Sequence, residues 1–157
     1  MNADGQVCVR FRRDAFICSF DQDGLYEQAG PNGIVYLEKL RQRQAKFPDG
    51  YVHVWQGGKI IGQMEMQIVE EPPIGYVNLF YLVPEMRSSV VAHALHAYAM
   101  AFCAGQHVQP ARLSVSPTNQ RAISFYQIHG WCDMGPRPEK EEVNLMECVV
   151  PELLDDN

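Results

Sequence analysis

The chain has 157 residues, 46% of them apolar and 20% charged, with a formal net charge of −6. That length suits one domain with one sizeable core, and the composition excludes a disordered chain. The acidic balance argues against nucleic-acid partners, which need clustered Lys and Arg to neutralise phosphates. It would suit a cationic amine. No apolar run is long enough to cross a bilayer. The opening MNADGQVCVRFRRD lacks the long apolar stretch of a signal peptide. A cytoplasmic protein with no membrane partner is therefore expected. Cys8, Cys18, Cys103, Cys132 and Cys148 form no CxxC pair, which favours reduced, mostly buried thiols over a disulfide frame or a zinc site.

Residues 7–20, VCVRFRRDAFICSF, alternate apolar and polar and then become almost wholly apolar, which predicts a first strand with Arg10, Arg12 and Arg13 on its solvated face. DQDGLYEQAGPNG is turn-rich, with room for one short helix before Pro31. Residues 34–47 place Val35, Leu37, Leu40 and Phe47 on a helical period, and Pro48 and Gly50 end that helix. Two strands then flank Gln56-Gly57-Gly58, whose glycines suit a tight hairpin turn. In the second of them Gly62, Met64, Met66 and Ile68 face one way and Gln63, Glu65 and Gln67 the other.

After the loop EEPPIG, YVNLFYLV at 76–83 reads as a central strand covered on both faces. Residues 89–104 carry Val91, Leu95, Tyr98 and Phe102 on one helical stripe, with Gly105 as the stop. ARLSVS at 111–116 is a further strand. A short helix capped by Asn119 or Thr118 follows and stops at Gly130. WCDMG and EEVNLMECVV make a final strand pair, with 143–150 as an edge open to pairing. PELLDDN, 151–157, is an acidic tail. No repeat or linker divides the chain, so residues 1–157 read as a single domain. Strands 76–83 and 111–116, joined by one long helix, should be parallel.

Two stretches carry chemistry. YLVPEMRSSVVAHAL ends a buried strand at Pro84 and opens a helix beside Arg87, Ser88 and Ser89, where free amides and the helix dipole favour an anion. The alternative is a capped helix with a solvated arginine. SVSPTNQRAISFYQIHGW ends a strand and opens the short helix that carries Tyr126, which could equally pack beside Phe125.

Together these stretches resemble the GNAT superfamily of N-acyltransferases, which use acyl-coenzyme A. The family's strand ends in Val-x-Pro, matched by Leu82-Val83-Pro84. Its helix opens with Gln or Arg, two residues, Gly, one residue, then Gly or Ala. Here that run is Arg87-Ser88-Ser89-Val90-Val91-Ala92, with Val90 in place of the glycine. Asn119, Ala122, Phe125, Tyr126, Gly130 and Trp131 match the family's second motif position by position.

The resemblance implies a mixed α/β fold: a mostly antiparallel central sheet, helices on both faces, and a parallel splayed strand pair at the cofactor site. It implies acetyl-CoA as acyl donor, without a metal, and direct transfer to a primary amine of a small molecule or peptide. Coenzyme A would lie on Leu82, Val83, Arg87, Ser88, Ser89, Val90, Val91, Ala92, Asn119 and Phe125. Backbone N–H groups near Leu82 would hold the oxyanion. Tyr126 would supply the leaving thiolate with a proton or hydrogen bond, a transfer uphill by only about 2 kcal/mol for an unperturbed phenol and thiol.

Strand 76–83 has no carboxylate to serve as base, so Glu65 is the candidate base or water-chain relay, set against a solvated or hydrogen-bonded strand face. Glu70 and Glu71 could bind a cationic substrate. His93 and His96 at i, i+3 lack a further ligand, which favours packing over metal. Cys103 and Cys132 show no paired base, which disfavours a cysteine nucleophile. An acyl-CoA-binding sensor or pseudoenzyme on the same fold, and a pure interaction module, are the alternative readings. A homodimer through strand 143–150 is a further expectation.

Overall fold

The computed structural model describes residues 5–20, 30–69, 72–87 and 89–152. The short helix expected within 21–29, Glu70, Glu71, Ser88 and the end of the tail (153–157) lie outside the described residues. The first element corrects the sequence reading: Gly5–Phe20 is a helix, α1, not a strand. Cys8 and Phe11 are buried, with Val7 and Ala15 half-buried beside them. That spacing is helical, and the run is short enough to fit both periods.

A 3₁₀ turn, Pro31–Gly33, leads into α2, Ile34–Lys46. The hairpin β1 (Tyr51–Gln56) and β2 (Lys59–Val69) closes on Gly57 and Gly58, both at positive φ, as a two-residue turn requires. Next come β3 (Ile74–Leu82), α3 (Val90–Gly105), β4 (Ala111–Val115), α4 (Gln120–Ile128), β5 (Cys132–Arg137) and β6 (Lys140–Cys148). Asn119 caps α4, accepting from the Ala122 amide at 3.2 Å.

The six strands form one sheet in the order β1-β2-β3-β4-β6-β5. Every neighbouring pair is antiparallel except β3–β4. One correction follows: β6 lies between β4 and β5, so the 143–150 segment is not an edge, and β5 is. A chain that leaves β4 through α4 can return by first laying down the outer strand and then filling the gap. Among the described residues no helix is long and apolar enough to cross a membrane.

Helices cover both faces. Met64, Met66, Val77 and Leu113 pack with Ala99, Cys103 and Ile123 of α3 and α4 in the main core. On the other face Leu40 of α2 meets Tyr51 and Cys8, and Phe11 of α1 meets Leu79 and Tyr81. Of the expected stripe on α3, Phe102 is buried and Leu95 packs against the core, while Tyr98 is exposed; Ala92, His96, Ala99, Met100 and Cys103 complete the buried face. The helix lies close to the sheet at Cys103. A Cβ added at Gly75 of β3 would sit 2.5 Å from Cys103 Sγ.

Candidate active site

The site begins with a register change in β3. Glu65 pairs with Leu79 and Met66 with Val77, so Asn78 is an extra residue, a β-bulge. Before it, the Gly75 amide points toward β4 and donates to Pro110 O at 3.1 Å. After it, the Val83 amide points the other way, to Ile61 O at 2.9 Å. Alternation along the strand then turns the amides of Phe80 and Leu82 away from β2.

No strand waits for them there. The β3–β4 pairing runs only through Gly75–Ala111, Tyr76–Arg112 and Val77–Leu113. Beyond Val77 the two strands part. The gap offers backbone donors to a group inserted between them, which is what an oxyanion needs.

Two cavities open at this gap. The smaller, about 380 Å³, is lined by Leu82, Arg87, Ala92, Arg121 and Phe125. The larger, about 710 Å³, is lined by Gln67, Tyr76, Asn78, Ser114 and Arg137. Phe80, Asn119, Ala122 and Tyr126 line both. Tyr126 stands edge-on to Phe80, with ring centroids 6.2 Å apart, and Phe125 and Trp131 flank it, each at 5.6 Å. Burial raises the Tyr126 pKa above its ordinary value, so its hydroxyl stays protonated.

At the mouth of the smaller cavity, α3 begins with Val90, whose side chain is 85% exposed and stands in solvent. In the first turn the Ala92 amide donates to Ser89 O at 3.1 Å, and those of Val90 and Val91 have no intrahelical acceptor. Ser89 precedes them and turns its hydroxyl back to Met86 O. Arg87 lines the cavity but is shared with the scaffold. Its Nε donates to Leu82 O at 2.9 Å, its Nη2 pairs with Asp14 at 2.9 Å, and it lies over the Tyr81 ring. Val83 is half-buried and Leu82 buried at the strand end. Leu82, Arg87, Ala92, Asn119, Phe125 and Tyr126 thus meet around one cleft, with Val90 at its helix.

Glu65 lies elsewhere. It is 1% exposed, under α2, and accepts from Tyr36 OH at 2.6 Å and Gln63 Nε2 at 2.9 Å. Gln63 continues the chain to His53 at 2.8 Å, and Cys8 Sγ lies 3.6 Å from the same imidazole. Of the solvated or hydrogen-bonded strand face expected for Gln63 and Glu65, the hydrogen-bonded form is observed: α1 and α2 cover them, and hydrogen bonds satisfy them. Burial, then Glu65, raises the Tyr36 pKa.

The histidines pack. His96 accepts from Trp131 Nε1 at 2.9 Å and stacks on His129 at 3.9 Å, and burial followed by His129 and His93 lowers its pKa to about 4. Burial, then Cys148, pushes the Cys103 thiol up to about 11. Sequence reasoning passed over Phe80, Ser114 and Arg137 as site residues. Only Asn78 and Tyr76, polar in an apolar strand, gave a signal.

Residues 15–131 match the family model described as the acetyltransferase (GNAT) family. The chain belongs to that family. No curated protein sequence matches it. Solved structures share the fold. The PaiA N-acetyltransferase of Thermoplasma acidophilum, in complex with coenzyme A, superposes with a TM-score of 0.75 at 17% identity, covering 93% of this chain and 92% of that one. The ribosomal-protein-alanine N-acetyltransferase of Brucella melitensis gives 0.72 at 13%, covering 95% and 96%. The ribosomal-protein-S18-alanine N-acetyltransferase of Escherichia coli gives 0.56 at 12%, covering 96% and 93%. A GNAT acetyltransferase is what the bulged, splayed β3–β4 pair and its two-sided cleft would serve.

Proposed function

We propose that this protein transfers an acetyl group from acetyl-CoA directly to a primary amine. The observation that carries the reading is Tyr126 standing where two cavities meet at the open end of β3. The smaller cavity takes the donor: first-turn amides of α3 at Val90 and Val91, with Arg87 and Ser89 before them in the chain, would face the pyrophosphate. Leu82, Ala92, Asn119 and Phe125 line that cavity and would flank the arm, with Val83 next to Leu82 at the strand end. The thioester carbonyl then lies in the gap, with the Leu82 and Phe80 amides for its oxyanion.

The amine enters from the larger cavity. Its nitrogen bonds to the carbonyl carbon as the carbon–sulfur bond breaks, and the Tyr126 hydroxyl faces the departing thiolate. A raised pKa makes full proton transfer costlier than for a free phenol, so Tyr126 acts mainly as a hydrogen-bond donor. For the amine's proton we assign Glu65 as a water-chain relay, since neither it nor Tyr36 lines either cavity.

The test is thiol release from acetyl-CoA over a panel of amines, beside calorimetric titration of acetyl-CoA. Turnover supports transfer. Binding without any turnover supports the sensor alternative, and no binding supports an interaction module. Glu65→Gln should cut kcat while acetyl-CoA affinity holds. Wild-type rates across the pH range would remove Glu65 from proton transfer.

A further inference from the structure

The larger cavity has a sign. Among the described residues it is lined by Arg12, Arg43, Arg112, Arg137 and Lys140 against one carboxylate, Glu139. This occurs in a chain of net charge −6, so the cavity inverts the charge of the molecule around it.

The cations are not equivalent. Arg12 donates to Asn78 O at 3.0 Å, and Arg112 is paired with Glu147 at 3.0 Å. Arg137 is held differently. Its Nη1 donates to Tyr76 OH at 2.7 Å and to Ser114 Oγ at 2.9 Å, and its guanidinium lies over the Tyr76 ring, 5.4 Å from the centroid. Tyr76 and Ser114 themselves share a hydrogen bond of 2.6 Å. Neutral hydroxyls and a ring fix the cation in place without cancelling its charge. Its one described carboxylate partner, Glu139, meets Nε at 3.2 Å with a side chain 78% exposed, where water screens the pair.

We propose that the acceptor is a small primary amine that also carries an anionic group, a carboxylate or a phosphate, received by Arg137. The inference rests on the transferase reading and names the substrate class of the same site. A pre-positioned guanidinium recognises planar or tetrahedral oxyanions through paired donors. A cavity of about 710 Å³ suits a small molecule. The surrounding cations do a second job: like charge disfavours an ammonium, so the amine is pushed toward the neutral form that attacks. The cationic acceptor that net charge alone suggested is disfavoured for the same reason.

Four probes test this by thiol release: 4-aminobutyrate, O-phosphoethanolamine, ethanolamine and 1,4-diaminobutane. The carboxylate or the phosphate probe should exceed both others in kcat/KM by about tenfold or more, the gain expected of a charge-assisted pair. The better of the two identifies the anion. Arg137→Gln should collapse that ratio chiefly through KM, and Arg137→Lys should recover part of it. Calorimetry of 4-aminobutyrate and O-phosphoethanolamine on the coenzyme A-loaded protein reads the anion site without turnover. Binding lost in Arg137→Gln, with no amine acetylated, keeps the anion site and sinks the transferase reading. Ethanolamine or the diamine performing as well, turnover confined to peptide N termini, or neither anionic probe binding would overturn the proposal.

Discussion

Tyr126 has no hydrogen-bond partner for its hydroxyl among the described residues, although three aromatic rings hold the phenol in place. The residue is half-buried and lines both cavities, so its hydroxyl is open to a ligand there. Tyr126→Phe keeps the aromatic contacts and removes only the hydroxyl. Turnover should fall by about a hundredfold, with the melting temperature and acetyl-CoA affinity little changed. An equal rate, with chemistry shown to limit turnover, would make Tyr126 a packing residue. His96 supports a second prediction at this scale. Its folded pKa of about 4 lies below the ordinary 6.5, so between these values the unfolded chain binds the extra proton. The neutral imidazole therefore contributes stability that is complete above pH 6.5 and is lost as pH falls toward 4, on the order of 3 kcal/mol in full. His96→Gln can still accept from Trp131 and does not titrate. The difference in unfolding free energy between wild type and this variant should change with pH over that window, and a pH-independent difference would remove His96 as the cause.

Between elements, the contact that sets the cleft is α3 against β3. Gly75 opens the parallel pair, and Cys103 of α3 occupies the space where a Cβ would stand. Cys103 is fully buried and has nowhere to move. Gly75→Ala should cost about 1–3 kcal/mol, the usual penalty of overpacking. Adding Cys103→Ala should return part of it, a non-additivity that chemical denaturation would measure. Additive losses would mean that the strand, not the helix contact, rejects the side chain. These elements were unequally legible in the sequence. Gly57-Gly58 left little choice of turn, and Asn119 with Ala122 marked the start of α4. Cys8, Phe11 and Ala15 were misread because a 3.6-residue period and an alternation coincide over so few residues. The buried face of α3 was legible only in part: Phe102 and Leu95 were expected on it, whereas Ala92, Ala99 and Cys103 were passed over because large residues were counted as core. Arg137, Tyr76 and Ser114 gave no joint signal: they lie on three strands, and two strands, β4 and β6, separate β5 from β3, so only the folded sheet shows that the Arg137 side chain reaches across to Tyr76 and Ser114.

For the molecule as a whole, the arrangement of the two cavities dictates an order of events. They share Ala15, Phe80, Asn119, Ala122 and Tyr126 but have separate outer linings, which leaves room for the proposed donor and acceptor to be bound together. A covalent acetyl-enzyme would need a nucleophile at the junction. Among the described residues no cysteine lines either cavity. Cys103 is sealed beneath α3 with its thiol pKa pushed up to about 11, which leaves little thiolate. Tyr126 stays protonated through burial. These observations support the direct attack within a ternary complex that we propose. Initial rates measured while both substrates are varied should give intersecting reciprocal plots, and acetyl-CoA alone should leave no acetyl group on the protein by mass spectrometry. Parallel plots together with a stable mass gain of one acetyl group would show a ping-pong path, and would move the chemistry to a nucleophile outside this junction.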